Sequence, residues 1–137
     1  MKLFKVTFII LCLSFILSTG TVIAYEVHGF INISLGGGKG IYTSSISKTK
    51  TGDRTQRTVT DGAIEDLTGK KRAVEVRVGA LVSGTTYQYS PTWIETPANM
   101  LIDLPYSKTA GTYKFQTRAV TNTPLGIKYS GRWYYQL

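Results

Sequence analysis

Apolar and polar residues alternate with a period of two along much of the chain, and no segment after residue 24 shows a sustained apolar repeat near 3.6 residues. This alternation predicts β-strands with one buried face, because successive side chains of a strand point to opposite sides of the sheet. The clearest example lies within residues 70–82. We expect a central strand there, with these side chains facing inward: Val74, Val76, Val78, Ala80 and Val82.

Alternation also predicts a strand over residues 27–35, in which Ile31 faces inward and Phe30 faces outward. The glycine-rich residues 36–40 interrupt that strand. We therefore expect a hairpin whose returning arm is residues 41–46.

The middle of the chain predicts several shorter elements. Residues 54–60 are rich in Thr and Val but mostly polar, which favours a strand at a sheet edge. Residues 63–67 lie between two turn signals and predict a short helical turn. Residues 85–89 and 100–104 are each followed closely by proline and predict two further strands.

The last two predicted strands, residues 111–121 and 127–137, are separated by a turn signal at 122–126, so we expect a closing hairpin. Within it, residues 111–115 have the sequence Gly-Thr-Tyr-Lys-Phe, and residues 129–133 have the sequence Tyr-Ser-Gly-Arg-Trp. This pair resembles the closing hairpin of small secreted β-sandwich proteins of Gram-positive bacteria, whose function is unknown. The resemblance covers about a fifth of the chain. It implies secretion and a sandwich, and it carries over no functional residue.

Seven or eight short strands separated by turns rich in Gly, Pro, Asn and Asp are typical of a single antiparallel β-sandwich or a small barrel. We predict one such all-β domain over residues 25–137. That length is sufficient for one hydrophobic core.

The first 24 residues have the pattern of a signal peptide. Lys2 and Lys5 form a basic start, residues 6–17 are uncharged, and Val22 and Ala24 occupy the two positions that a signal peptidase recognises. The uncharged run has only about 12 residues, whereas a membrane-spanning helix needs about 20. We expect cleavage after Ala24 and an extracellular mature protein; an uncleaved membrane anchor is the alternative.

Few residues are available for nucleophilic or metal chemistry. Cys12 lies within the predicted signal peptide and is the single cysteine, so the mature domain has no disulfide, thiolate ligand or cysteine nucleophile. His28 is the single histidine, and no Gly-x-Ser-x-Gly motif accompanies it. We therefore predict no catalytic triad, no zinc site and no cofactor.

Positive charge is the first signal of a partner. Removal of Lys2 and Lys5 with the signal peptide lowers the net charge from +8 to +6. This charge suits an anionic cell-wall polymer or a lipid surface, and export disfavours nucleic acid. Ordinary solvated surface charge is the alternative. The candidate anion-binding residues are Arg54, Arg57, Lys70, Lys71 and Arg72.

Aromatic residues are the second signal. Trp93 and Tyr106 lie in or near predicted loops, and Tyr134 is expected to face outward from the last strand. These three form a candidate aromatic surface for stacking on a glycan or for a membrane interface. The alternative is ordinary packing of aromatic residues in a sheet.

The sequence therefore predicts a secreted, non-catalytic binding protein that acts at the bacterial cell envelope or outside the cell. A membrane-active toxin or antimicrobial protein is the first alternative, because a cationic domain with a Gly- and Ser-rich hairpin can insert into a bilayer. A small glycan hydrolase is the second, with paired carboxylates chosen from Glu75, Glu95 and Asp103.

Overall fold

The computed structural model describes residues 26–37, 40–120 and 126–136. The predicted signal peptide and its cleavage point lie outside these residues. In the described part of the chain, no helix is long and apolar enough to cross a membrane. The described elements are one short 3₁₀ helix, Pro105–Ser107, and the strands β1 (Glu26–Leu35), β2 (Ile41–Thr43), β3 (Lys48–Lys50), β4 (Gln56–Glu65), β5 (Val74–Ser83), β6 (Thr86–Tyr89), β7 (Ile94–Thr96), β8 (Leu101–Leu104), β9 (Gly111–Ala119) and β10 (Ile127–Gln136).

These strands form two antiparallel sheets, which confirms the predicted all-β class. Sheet one has the strand order β1-β10-β4-β8. Sheet two has the order β2-β9-β5-β6, with β3 also beside β9 and β7 also beside β5. The last two strands are therefore in different sheets, and the predicted closing hairpin between them is wrong. Of its predicted turn, residues 122–125 lie outside the described residues.

A continuous hydrophobic core fills the space between the sheets. The predicted alternation is confirmed for the first half of β5, where Val74, Val76 and Val78 are buried, but Val82 near its end is exposed. Fully burying one such side chain contributes about 1.5–3 kcal/mol. The inward residues of β9 and β10 complete the core: Tyr113, Phe115, Ala119, Ile127, Tyr129, Trp133 and Tyr135.

The first strand departs from its predicted alternation. Phe30 is buried and stacks on Phe115 with ring centroids 5.0 Å apart, whereas Ile31 is 80% exposed. The reason is an irregularity in the pairing with β10 between Phe30 and Ile33, where Asn32 has a φ of 49°. Such a bulge changes which face the following residues occupy.

The predicted edge strand is also wrong, because β4 lies inside sheet one between β10 and β8. Two of its polar side chains are buried and make hydrogen bonds in the interior. Gln56 Oε1 accepts a hydrogen bond from the Trp133 indole at 2.7 Å, and Thr58 Oγ1 donates to the carbonyl of Arg132 at 3.0 Å. The strand continues to Glu65, where a helical turn was expected.

The predicted hairpin at the glycine-rich segment is wrong as well. β2 pairs with β9 of sheet two and not with β1. Ser44, directly after β2, anchors this pairing, since its amide donates to the Phe115 carbonyl at 2.9 Å and its hydroxyl accepts from the Phe115 amide at 3.1 Å. The chain thus crosses from one sheet to the other after β1.

Candidate functional site

The outer face of sheet two carries an ordered set of cationic, aromatic and amide side chains. On β5 and β9 the inward positions are apolar or Thr, so the alternate positions face outward. The pairing of these strands places Glu75 opposite Arg118 and Arg77 opposite Gln116. Four polar side chains therefore lie beside one another at the centre of this face.

Arg77 is held by a chain of hydrogen bonds that crosses the sheet. Its Nε donates to Gln116 Oε1 at 2.8 Å, and its Nη1 donates to the Ser90 carbonyl at 3.0 Å. The Gln116 amide in turn donates to Thr43 Oγ1 at 2.8 Å. Because these partners come from β2, β9 and the segment after β6, the guanidinium is fixed by the fold and not by one flexible neighbour.

Aromatic rings pack against the same guanidinium. The Cζ atom of Arg77 lies 4.1 Å from the centroid of the Trp93 ring and 5.3 Å from that of Tyr89. Arg118 Cζ lies 4.2 Å from the same Trp93 ring. These distances are within the range of cation–π attraction. We call this set, Arg77, Gln116, Arg118, Trp93 and Tyr89, the Arg77 cluster.

A glycine makes this packing possible. Gly79 on β5 lies opposite Tyr89 on β6, and the tyrosine ring lies directly over the glycine backbone. A Cβ atom at Gly79 would stand 2.5 Å from Tyr89 Cδ1, far inside van der Waals contact. Any larger residue would therefore displace the ring.

The charge of Arg77 has no counterion within the described residues. Arg118 is paired with Glu75 at 2.8 Å between Nε and Oε2, whereas no carboxylate lies within 4 Å of the Arg77 guanidinium in residues 26–37, 40–120 and 126–136. Burial first, and then the charge of Arg118, lower the pKa of Arg77. An arginine nevertheless stays charged in a protein, so Arg77 keeps a positive charge that no carboxylate within 4 Å neutralises in the described part of the chain.

The five cations nominated from the sequence do not lie together. Arg57 near the start of β4 is paired with Asp103 at 2.7 Å, and Arg54 is exposed just before that strand. Arg72 lies beside the far end of β4, where its Nη2 contacts Glu65 Oε2 at 2.5 Å. Arg54 and Arg57 at one end are thus separated from Arg72 at the other by the length of β4, roughly 30 Å at about 3.3 Å per residue. Lys70 and Lys71 are exposed beside Arg72.

The three nominated aromatic residues are separated too. Tyr134 lies on the outer face of sheet one, where its hydroxyl accepts a hydrogen bond from Arg132 Nη1 at 3.1 Å. Trp93 lies on the outer face of sheet two and already packs against two guanidiniums. Tyr106, in the 3₁₀ helix, lines a groove of about 200 Å³ together with Gln88 and Pro91. One continuous aromatic surface is therefore not formed by these three.

Of the candidate carboxylates, the structure brings two together. Glu75 and Glu95 stand opposite each other on β5 and β7, whereas Asp103 lies on sheet one with Arg57. No group of three metal-ligating side chains is found within the described ranges.

His28, the single histidine, packs edge-on against Phe30, with ring centroids 4.8 Å apart. Burial, followed by the charge of Lys48, lowers the pKa of His28.

Arg77 was not nominated from the sequence. Its outward position follows from the alternation of β5, but its partners follow only from the register of β5 with β9. The signal available in the sequence was an outward Arg on a strand predicted to be central.

No protein-family model and no curated protein matches the chain. One similar solved structure is described as "EclA C-terminal domain; sugar-binding protein", with 16% sequence identity over 85% of this chain and 83% of that chain and a TM-score of 0.30. A similarity this low transfers neither fold nor function to this chain.

Proposed function

We propose that the protein is a secreted, non-catalytic binding protein that acts at the bacterial cell envelope or outside the cell. Its ligand is an anionic envelope polymer, and the Arg77 cluster binds the acidic groups of that polymer. Export rests on the sequence of residues 1–24. The observation that carries the proposed site is a half-buried guanidinium fixed by neutral partners, without a counterion in the described part of the chain.

Physical chemistry supports an anion as the ligand. Guanidinium groups form strong, directional hydrogen bonds with carboxylates and phosphates. Arg77 uses Nε and Nη1 for contacts within the protein, and its Nη2 has no hydrogen-bond partner among the described residues. Because neighbouring side chains already hold the guanidinium, little side-chain entropy is lost when a ligand binds.

Lys114 extends the positive charge along the same face. It lies opposite Gly79, and its Nζ is 5.0 Å from the centroid of the Tyr87 ring. A polymer with repeated acidic groups can therefore contact more than one cation on this sheet. The net charge of the mature chain adds long-range attraction, which is screened over about 8 Å at physiological ionic strength.

Binding to purified bacterial cell walls tests the proposal, with soluble polyphosphate and polygalacturonate as probes for phosphate and carboxylate. We expect Arg77→Gln to weaken binding by about tenfold or more, equivalent to about 1.4 kcal/mol. The matched control is Arg57→Gln, which removes the same charge from the outer face of sheet one and should change affinity little. Equal effects of the two substitutions, or wall binding unchanged in about 0.5 M salt, would contradict the proposal.

One observation favours a second candidate function, a small glycan hydrolase. Glu75 and Glu95 are directly opposite on neighbouring strands, where Cβ atoms lie about 5 Å apart. This places two carboxylates side by side, as a retaining glycosidase requires, although the Glu75 carboxylate is paired with Arg118. Glu95→Gln should abolish release of reducing ends from wall glycan if this function is correct, and Asp103→Asn should not. Absence of reducing-end release by the wild type, or undiminished release by Glu95→Gln, would contradict the hydrolase and leave only the binding function.

A further inference from the structure

The turn after β4 presents a leucine to solvent in an unusual backbone conformation. Leu67 is 90% exposed and has a φ of 62°. The Thr68 amide donates to the Asp66 carbonyl at 2.6 Å, so Leu67 is the central residue of a three-residue turn. The form of this turn with positive φ is rare and strained, and Gly or Asn would adopt that conformation more easily than Leu. A strained residue of this kind points to a function for its side chain.

Hydrogen bonds on both sides hold the turn in place. The Glu65 amide donates to the Lys70 carbonyl at 2.8 Å, and the Gly69 amide donates to the Glu65 carbonyl at 3.0 Å. The buried Glu65 carboxylate accepts hydrogen bonds from Arg72, which, as the largest cause, lower the pKa of Glu65. The exposure of Leu67 is therefore a property of an ordered turn.

Lysines flank the neighbouring Ile64 and follow the turn in the chain. Ile64, also exposed, lies opposite Lys128 on β10 and forms a bridge with Lys71 on its other side. Lys70, Lys71 and Lys128 have no carboxylate within 4 Å in the described ranges. Of the two acids at the turn, Glu65 is neutralised by Arg72 and Asp66 is half-buried. We call Ile64, Leu67, Lys70, Lys71 and Lys128 the Leu67 tip.

We propose that the Leu67 tip docks on an anionic lipid surface, with Leu67 and Ile64 in the interfacial layer and the three lysines at the lipid phosphates. The charge of the tip is complementary to such a surface, and long lysine side chains reach headgroups while apolar neighbours insert. A single turn offers far less area than the roughly 800 Å² per partner of a stable protein interface. A bilayer interface needs only a few apolar side chains together with basic ones. This inference is independent of the Arg77 cluster.

Sedimentation with vesicles of phosphatidylglycerol or of phosphatidylcholine tests the inference on the mature protein. We expect binding to phosphatidylglycerol alone. Leu67→Gly should weaken that binding by about tenfold, since it removes the inserted side chain, while thermal stability is kept or raised because glycine relieves the positive φ. Val82→Ser is the matched control, since Val82 is exposed on the β5–β6 hairpin and should not contribute.

The double substitution Lys71→Glu with Lys128→Glu should abolish the preference for phosphatidylglycerol. Arg54→Glu with Lys108→Glu changes the net charge equally at other exposed sites and should leave most of the binding. Loss of lipid binding in Leu67→Gly with unchanged wall binding would show that the two sites are separate. Absence of vesicle binding by the wild type, full binding by Leu67→Gly, or equal effects of the two charge reversals would each overturn the inference.

Discussion

The outer faces of the two sheets both carry arginines, but the arginines differ in whether a carboxylate neutralises their charge. On sheet one, Arg57 is paired with Asp103 at 2.7 Å, and Arg132 is paired with Asp61 at 2.7 Å. On sheet two, Arg77 is held by the amide of Gln116, a backbone carbonyl and two aromatic rings. Arg57 and Arg132 on sheet one, like Arg118 on sheet two, are therefore paired with carboxylates, whereas Arg77 is held in place without one among the described residues.

The side chains of these arginines also differ in how far solvent screens their charge. The side chains of Arg57 and Asp103 are 45% and 63% exposed, so water and salt screen their interaction. Arg77 is less exposed, and its charge is correspondingly less screened. A cation that the fold holds in place but does not neutralise is available to a ligand. The pairing of the arginines therefore distinguishes the two faces better than the number of cations does.

The largest effect is expected from a substitution that disrupts the hydrophobic core between the two sheets. Val76 is fully buried beneath sheet two, and a charge there costs several kcal/mol, comparable with the whole stability of a small domain at about 5–15 kcal/mol. We expect Val76→Asp to prevent folding, measured by circular dichroism and thermal unfolding. Arg77→Ala, at the next position on the outer face, should fold. Equal tolerance of both substitutions would contradict the inward and outward assignment of β5.

A smaller effect is expected when the ring packing on sheet two is disturbed. Gly79→Ala forces the Tyr89 ring away from the backbone and should lower the free energy of unfolding by about 1–3 kcal/mol. It should also weaken wall binding, because Tyr89 packs against Arg77. The control on sheet one is Gly62→Ala, since a Cβ atom at Gly62 would have no neighbour within 4 Å. Similar losses in both variants would show that the packing over Gly79 has no special role.

The smallest effect is expected for an exposed ion pair on sheet one. Asp103→Asn removes the partner of Arg57 and should change the free energy of unfolding by only about 0–1 kcal/mol. Chemical denaturation measures this change. If the freed Arg57 then raises wall affinity as strongly as Arg77→Gln lowers it, the two faces are equivalent and the assigned site is wrong.

Much of the fold could be predicted from the sequence, because a strand that buries one face has apolar residues at every second position. The first half of β5 buries the inward residues that were predicted, and β9 and β10 lie within the two strands predicted at residues 111–121 and 127–137. The prediction failed for β1 because the bulge at Asn32 interrupts the alternation. It failed for β4 because buried Gln56 and Thr58 have partners that a sequence does not show.

The candidate site was less predictable than the fold. Arg77, Gln116 and Trp93 come from β5, β9 and the segment before β7, and only strand register brings them together. The cations nominated from the sequence stand close together in the chain, but the length of β4 separates them in space. Proximity in a β-sandwich depends on non-local pairing, so sequence clusters are poor guides to surface clusters.

Amide and indole chemical shifts during a titration with wall polymer test the proposed site most directly. The two tryptophans give an internal comparison, since Trp93 lies in the Arg77 cluster, whereas Trp133 is buried with its indole donating to Gln56. We expect the Trp93 indole signal and the backbone amides of Arg77 and Gln116 to shift as polymer is added, with the Trp133 signal unchanged. Shifts confined to the strands of sheet one, with the Trp93 signal unmoved at saturation, would contradict the assignment of binding to the outer face of sheet two.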